Sequence, residues 1–373
     1  MITPVAPDPI PVPGTDGRYH VVYELLVLNA SARVATITKV ETLADHAGGA
    51  VVGAIEGAQV VALSLIVGDY RLPPLPATSV PVGRSVLVLM DDSYAEREAI
   101  PSQVVHRVEA SFGPLGSEQA DYAKNFPDRS VQIGGAVTVS DGLPTVIGPP
   151  LTGDSWVAVN ACCTLSPHRG AMIPIAGRIN GSERYAVDWS RFDLKAEPLI
   201  DVEKGIDARL RGDPTRNESY FTFGQPVVAV ADATVVTVVS DLPEAPPGTL
   251  LPGLSISDVG GNRIILELGN GVFAFYAHLQ TGSPTVRAGD PVRKGQLIAR
   301  AGNSGNTSES HLHFHLMDSP LPLTAENVPF VIDSFTFDGT ASAEKLLTEP
   351  PPGPRTSELP MINSAVSFPT TGG

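Results

Sequence analysis

Along the first third of the chain, short apolar runs alternate with clusters of Pro, Gly and polar residues. Strand-like runs fall at 19–28, 33–42, 59–67, 84–90 and 104–112, separated by turn-forming segments such as LPPLPATSVPVG at 72–83. No long stretch sustains the period of an amphipathic helix. This spacing predicts a mainly β protein with an N-terminal immunoglobulin-like β-sandwich over 19–145, after a Pro-rich lead-in at 1–18. A Gly/Pro-rich segment at 134–151 marks the best boundary. A second strand-rich region, 150–340, contains PVVAVADATVVTVV, GNRIILELGNGVFAFYAHL and VRAGDPVRKGQLIARAG. The segment 346–373, with EPPPGPR and PTTGG, predicts a flexible tail. No solenoid-type repeat is visible.

One run differs from the others in carrying chemistry. In GNSGNTSESHLHFHLMD, at 302–318, His311, His313 and His315 alternate with Leu312, Phe314 and Leu316. Side chains two apart on a strand point the same way, so three imidazoles share one face while the apolar set enters a core. Imidazole is both a common metal ligand and a proton carrier near neutral pH. The whole chain has eight histidines, so three on one face make a site the leading hypothesis over a solvated polar face.

Composition narrows the partners. The 373 residues are 42% hydrophobic, enough for at least one full core, and Gly 36 with Pro 35 suits many short strands. Lys and Arg number 25 against 40 acidic residues, giving −15 with no basic cluster, which argues against nucleic acid as a partner. The longest apolar stretch, near 60–67, is too short to span a bilayer. The start, MITPVAPDPIPVPG, has no basic residue before Arg18 and no apolar h-region, so it does not read as a signal peptide; either a leader is missing from this chain or the protein is not exported by that route. Cys162 and Cys163 are adjacent and cannot staple distant segments. Two reduced, partly buried thiols are expected there, with a strained vicinal disulfide as the alternative; their place just before His168 also makes them minor metal-ligand candidates. His20, His46 and His106 are isolated and read as surface or cross-strand residues.

A zinc hydrolase needs three protein ligands and an open position for water. Same-face neighbours on a strand lie roughly 6.5 to 7 Å apart, so one of His311 and His313 can bind metal while the other stands beside it. The remaining ligands must come from elsewhere, with His168 or His278 as histidine candidates. There is no HExxH helix. A cupin motif fails because no Glu or further histidine follows at the required place.

Four ordered pieces, GQPVVAVADATVV, GNRIILELGNGVFAFYAHL, AGDPVRKGQLIARAGNSGN and HLHF, make 224–316 resemble the lysostaphin-like, LytM-type zinc metallopeptidases that cut peptidoglycan peptides. The resemblance implies an antiparallel sheet of duplicated hybrid-motif type over the second region. It also implies one zinc ion held by His168 of SPHRG, Asp188 of RYAVDW and His313, with His311 and His278 of YAHL as catalytic groups. Two departures stand out. Twenty positions separate His168 from Asp188, where many members have a few; a hairpin with its turn at Asn180-Gly181 could return the chain, but strict pairing about that turn would set Asp193 opposite His168. The second is HLHFH where many relatives have HLHFE, so His315 is expected as a supporting group.

The implied activity is metal-assisted amide hydrolysis in an extracytoplasmic setting, with peptidoglycan peptides as partners. A non-catalytic relative that binds or activates a wall hydrolase, or a different zinc enzyme such as a lyase or amidase, is the alternative. Asn217 and Tyr220, in the polar loop at 201–220, are substrate-contact candidates, with a plain surface loop as the counter-reading. Arg211-Gly212-Asp213 receives no functional weight. Trp156 and Trp189 are expected in the core or at a rim. Oligomeric state is left open.

Overall fold

Strands, most of them antiparallel, make up almost all the regular structure. The structure is a computed structural model in which residues 1–5, 8–68, 78–115 and 127–370 are described. It divides into two units. The first comprises Met1–Val12, Arg18–Leu143 and Cys163–Gly181; the second comprises Pro13–Gly17, Pro144–Cys162 and Ser182–Gly373.

In the first unit one sheet runs in the order Ile2–Pro4, Tyr19–Leu28, Ser85–Tyr94, Ser64–Ile66. The other runs Arg129–Thr138, Gln103–Phe112, Ala35–Ala44, Val51–Glu56. Alternate side chains of both sheets, among them Val21, Tyr23, Leu25, Val40, Val88, Val104 and Val108, form one apolar core. The strand order corresponds to that of an immunoglobulin-type sandwich with one added strand. The apolar run at 59–67 is not one strand. Gly57 takes φ 55, a short helix Ala58–Ala62 follows, and only Ser64–Ile66 pairs in the sheet. The helix buries Val60 and leaves Val61 45% exposed, so burial here has no period of two. Of the turn at 72–83, residues 72–77 lie outside the described residues.

His20 and His106 are buried, against the surface alternative, while His46 is exposed. His106 sits in a polar chain inside the sandwich. Its Nδ1 lies 2.8 Å from the Gly135 carbonyl, so Nδ1 carries the proton, and its Nε2 is 2.7 Å from the Tyr23 hydroxyl. Tyr23 also reaches Asp92 at 2.5 Å, and Thr42 donates to the same carboxylate at 2.8 Å. Burial raises Asp92 to about 6 and lowers His106 to about 4. Both shifts favour the uncharged forms of the two groups between which the Tyr23 hydroxyl stands, donating to Asp92 and lying against the His106 ring nitrogen.

The segment Cys163–Gly181 belongs to this unit. Arg169 forms an ion pair with Glu24, both fully buried, and also donates to the Met90 carbonyl at 3.3 Å. Leu165, Met172 and Ile179 pack with Leu65, Leu87 and Leu89. The expected hairpin about Asn180-Gly181 is not formed; instead Met172–Ile175 pairs with Arg178–Gly181 around a turn at Ala176-Gly177, at φ 54 and 81. Those two positive angles suit a two-residue type I′ loop. Asn180 lies on the second strand, its amide donating to the carbonyls of Ile173 and Ile175 at 3.1 Å each. Cys162 and Cys163 are joined as a disulfide, not reduced thiols; bends through 162–165 fold the backbone sharply at that point.

The second unit is built on a twelve-stranded sheet. Its central path runs Ala233–Val239, Asn262–Gly269, Val272–Leu279, Leu312–Met317, Val187–Arg191, Gly153–Val159, Ser364–Phe368, Phe335–Ala341, with every pairing antiparallel. The C-terminal segment expected as a flexible tail thus enters the sheet in three pieces, Leu346–Leu347, Gly353–Arg355 and Ser364–Phe368. Ala365 and Val366 are fully buried, and the Phe368 ring meets Trp189 edge-on at 5.2 Å. Trp156 and Trp189 are both core residues.

The two shifts in the sandwich oppose one another. His106, depressed, contributes stability that is present above 6.5 and lost as pH falls toward 4. Asp92, raised, contributes stability that is present below 3.8 and lost as pH rises through about 6. Each is worth roughly 3 kcal/mol, so between pH 4 and 6 they largely cancel. Asp92→Asn should remove the compensation: in thermal unfolding across pH, its Tm should fall more steeply than that of the unmodified protein between pH 6.5 and 4. Parallel curves would refute this account.

Candidate metal and catalytic centre

The sheet places its polar residues through register. Asp188 is the cross-strand partner of His313, flanked by Val187 opposite Phe314 and Trp189 opposite Leu312. On the other side, Ala277 faces His313 and Phe275 faces His315. Leu312, Phe314 and Leu316 are fully buried, as the alternation predicts. The Phe314 ring contacts Tyr276 at 5.1 Å and Phe330 at 5.5 Å. His313 and His315 are also buried, so neither face of this strand is solvated. His311 precedes the strand proper, held by an isolated bridge to Gly302.

Four of the expected residues come together in the second unit. His313 Nδ1 is 3.0 Å from Asp188 Oδ1, and His311 Nε2 is 3.3 Å from the same oxygen. The His278 ring lies 4.8 Å from His311 and 5.8 Å from His313, centroid to centroid. Asp193, the competitor of Asp188, stands elsewhere: it is 40% exposed and faces Arg211 at 3.9 Å. His315 Nδ1 is 2.9 Å from His313 Nε2, and its ring packs on Phe275 at 5.0 Å, which places it behind His313. His168 belongs to the first unit, buried on the one-turn helix Pro167–Gly170, whose N-cap is Ser166.

Backbone carbonyls orient the two outer rings. His278 Nδ1 lies 2.8 Å from the Ser304 carbonyl, and His311 Nδ1 lies 2.9 Å from that of Glu309. Carbonyls only accept, so both rings carry their proton on Nδ1 and direct Nε2 elsewhere. His278 holds φ 60, an uncommon angle for a side chain of this size and a form of local strain typical of functional positions. Burial, reinforced by His311 and His313, pushes His278 well below the ordinary imidazole range. Burial also works against a charge on His311, but the Asp188 carboxylate outweighs it and raises that ring.

Several residues of the site were not singled out in the sequence. Asn160 donates to Asp188 Oδ2 at 2.8 Å, occupying the oxygen turned away from the histidines; a lone Asn at the end of a strand gives no advance signal. Arg209 pairs with both Asp207 and Glu309, and so braces the residue whose carbonyl holds His311. The loop carrying Ser304 was visible as GNSGN. At Gly305, φ is +86 and an added Cβ would stand 2.3 Å from the Gly261 nitrogen. At Gly261, φ is +58 and a Cβ would meet the Ser304 carbonyl oxygen at 2.1 Å. Asn217 and Tyr220 serve the loops around the site. Asn217 donates to Ala245 at 3.0 Å and accepts from Asn303 at 2.9 Å, while Tyr220, mostly buried, donates to Pro214 at 3.2 Å.

The donors fit a metal such as zinc. Tetrahedral zinc with N and O ligands at about 2.0 to 2.1 Å sets donors roughly 3.3 Å apart, close to the 3.0 Å between His313 Nδ1 and Asp188 Oδ1. The described residues include buried His and Asp groups able to hold an ion, Asp188 and His313 among them.

Residues 220–324 match the family model described as Peptidase family M23. This segment of the chain is therefore of the LytM type; it contains His278, His311, His313 and His315, while His168 and Asp188 lie upstream of it. Among solved structures, the chain is similar to the catalytic domain of the antimicrobial peptidase lysostaphin from Staphylococcus simulans, at 20% identity over 47% of this chain and 88% of that one, with TM-score 0.24. It is similar to the catalytic domain of the prophage-encoded M23 protein EnpA from Enterococcus faecalis, at 20% identity over 32% and 78%, with TM-score 0.20. It is also similar to a zinc-containing peptidase from Vibrio cholerae, at 12% identity over 83% and 80%, with TM-score 0.23.

Gly305→Ala combines a strained angle with a backbone clash, whereas Gly282→Ala, at φ +70 with nothing within 4 Å, carries the angle alone. Gly282→Ala should cost on the order of 1 kcal/mol and Gly305→Ala clearly more, read as a larger fall in Tm. Equal falls would show that the close approach of Gly261 and Gly305 does not hold the loop.

Proposed function

We propose that the protein is a zinc metalloendopeptidase acting on peptide bonds of bacterial cell-wall peptidoglycan. The observation that carries this reading is the buried Asp188–His313 pair with His278 and His311 turned toward it, the histidines lying inside the M23 segment. Asp188 and His313 would hold one zinc ion, with His168 as the third ligand. When bound, zinc lowers the pKa of a coordinated water and polarises the scissile carbonyl.

The chain's own residues then divide the work. Asn160 fixes the Asp188 carboxylate through Oδ2, leaving Oδ1 for the metal. His315, with its Nδ1 2.9 Å from His313 Nε2, would hold the His313 ring in the orientation that turns Nδ1 toward Asp188 Oδ1. His278, with its proton committed to Ser304, presents a bare Nε2 that can accept a proton from the attacking water. His311, held at Glu309, presents its Nε2 from the partly open side, where it can stabilise the oxyanion or return a proton to the leaving amine. Asn217 and Tyr220 border this region and would contribute to substrate contact mainly by holding their loops. The setting is extracytoplasmic, in keeping with an M23 segment directed at the wall; no described helix is long and apolar enough to cross a membrane.

The test joins metal analysis of the purified protein with mass spectrometry of peptidoglycan fragments after incubation. Zinc near one equivalent and new peptide termini are expected; protein without zinc, or intact cross-links despite normal metal content, would overturn the proposal. His313→Ala should lose the metal. His311→Ala should keep it and lose activity by about 10²-fold or more. Equal metal loss in both variants would reject this division of roles.

A further inference from the structure

The first unit holds a second cluster of ligand-type side chains that the peptidase reading does not use. His20, Asp91 and Cys163 offer one ligand atom each, all within 4.8 Å of one another. His20 is on the strand Tyr19–Leu28 and Asp91 on its neighbour Ser85–Tyr94, one step diagonal to the pairing of His20 with Ser93. His20 Nδ1 lies 2.9 and 3.1 Å from the two Asp91 oxygens, so the imidazole and carboxylate are already held together. The His20 side chain is 5% exposed and that of Asp91 26%, which leaves the cluster one open side toward solvent. Cys163 is buried, and its sulfur is committed to the disulfide with Cys162.

We propose that reduction of the Cys162–Cys163 disulfide opens a binding site for a thiophilic divalent cation, formed by the Cys163 thiolate, the His20 imidazole and the Asp91 carboxylate. A dithiol supplies two electrons and two protons: the S–S bond breaks, two cysteine thiols form, and the dithiol becomes its cyclic disulfide. Cys163 then releases its thiol proton to solvent as the cation binds. Sulfur, nitrogen and oxygen donors with one solvent-facing position make a set that zinc or cobalt accepts. While the cation is bound, the Cys163 sulfur is occupied, so the disulfide cannot re-form. A plain His20–Asp91 ion pair would account for two of the three groups, but not for a cysteine sulfur buried beside them.

Cobalt(II) provides the probe, because thiolate-to-cobalt charge transfer absorbs in the near ultraviolet and the proposed peptidase centre contains no sulfur. The full chain as purified should show no such band. After dithiothreitol treatment and anaerobic desalting, the band should grow to saturation with one equivalent of cobalt. Cys162→Ser, which leaves Cys163 without a disulfide partner, should show it with no reductant. Cys163→Ser should abolish it under all conditions, and His20→Ala and Asp91→Asn should each weaken binding at least tenfold. The proposal fails if the band is absent from both the reduced protein and Cys162→Ser, if it is present before reduction, if it survives in Cys163→Ser, or if both His20→Ala and Asp91→Asn bind normally.

Discussion

The register between Val187–Arg191 and Leu312–Met317 is the constraint on which the candidate centre depends. Side chains alternate along a strand, so sliding either strand by one residue would exchange the faces. Asp188 would then enter the space of Leu312 and Phe314, and a carboxylate buried among apolar groups without partners costs several kcal/mol. Trp189 opposite Leu312 and Val187 opposite Phe314, all fully buried, oppose such a slip from the other side of the sheet. The hydrophobic core on one face thus fixes the polar geometry on the other. The packing of their neighbours brings His313 and Asp188 opposite one another, and Asn160 and His315 then hold the two side chains that meet at 3.0 Å.

This explains which parts were legible in the sequence. The period of two in HLHFHL announced both faces of the strand, because alternation is a local property. The pairing of that strand with Asp188 spans 125 positions and left no local trace; the choice of Asp188 over Asp193 came from resemblance to a family, while turn geometry pointed the other way. Asn180-Gly181 is a favourable turn dipeptide, but Asn180 satisfies carbonyls across the hairpin and Ala176-Gly177 makes the turn. Composition misled at the other end of the chain. Proline and glycine around 349–354 suggested a loose tail, yet the short alternation at Ser364–Phe368 suffices to enter the sheet when two neighbouring strands offer free edges. The run at 59–67 failed for a related reason, since a short apolar run cannot by itself distinguish a strand from a helical turn beside a strand.

The chemistry of the outer histidines rests on the loop more than on the strands. A strand sets where an imidazole stands; which of its nitrogens bears the proton is set by what the other one bonds. Here Ser304 and Glu309, five residues apart in one loop, supply both acceptors. Gly261 and Gly305 let the backbone approach closely enough to aim the Ser304 carbonyl, and Arg209 holds Glu309 from the loop at 201–220. A substitution in this loop can therefore change proton placement at His278 or His311 while every imidazole keeps its position. Because neither carbonyl can donate, each ring has one tautomer fixed and one nitrogen left over, and the arrangement is pre-organised before any ligand arrives. That is why the glycine-spaced stretch before the histidine strand belongs to the functional unit as much as the histidines do.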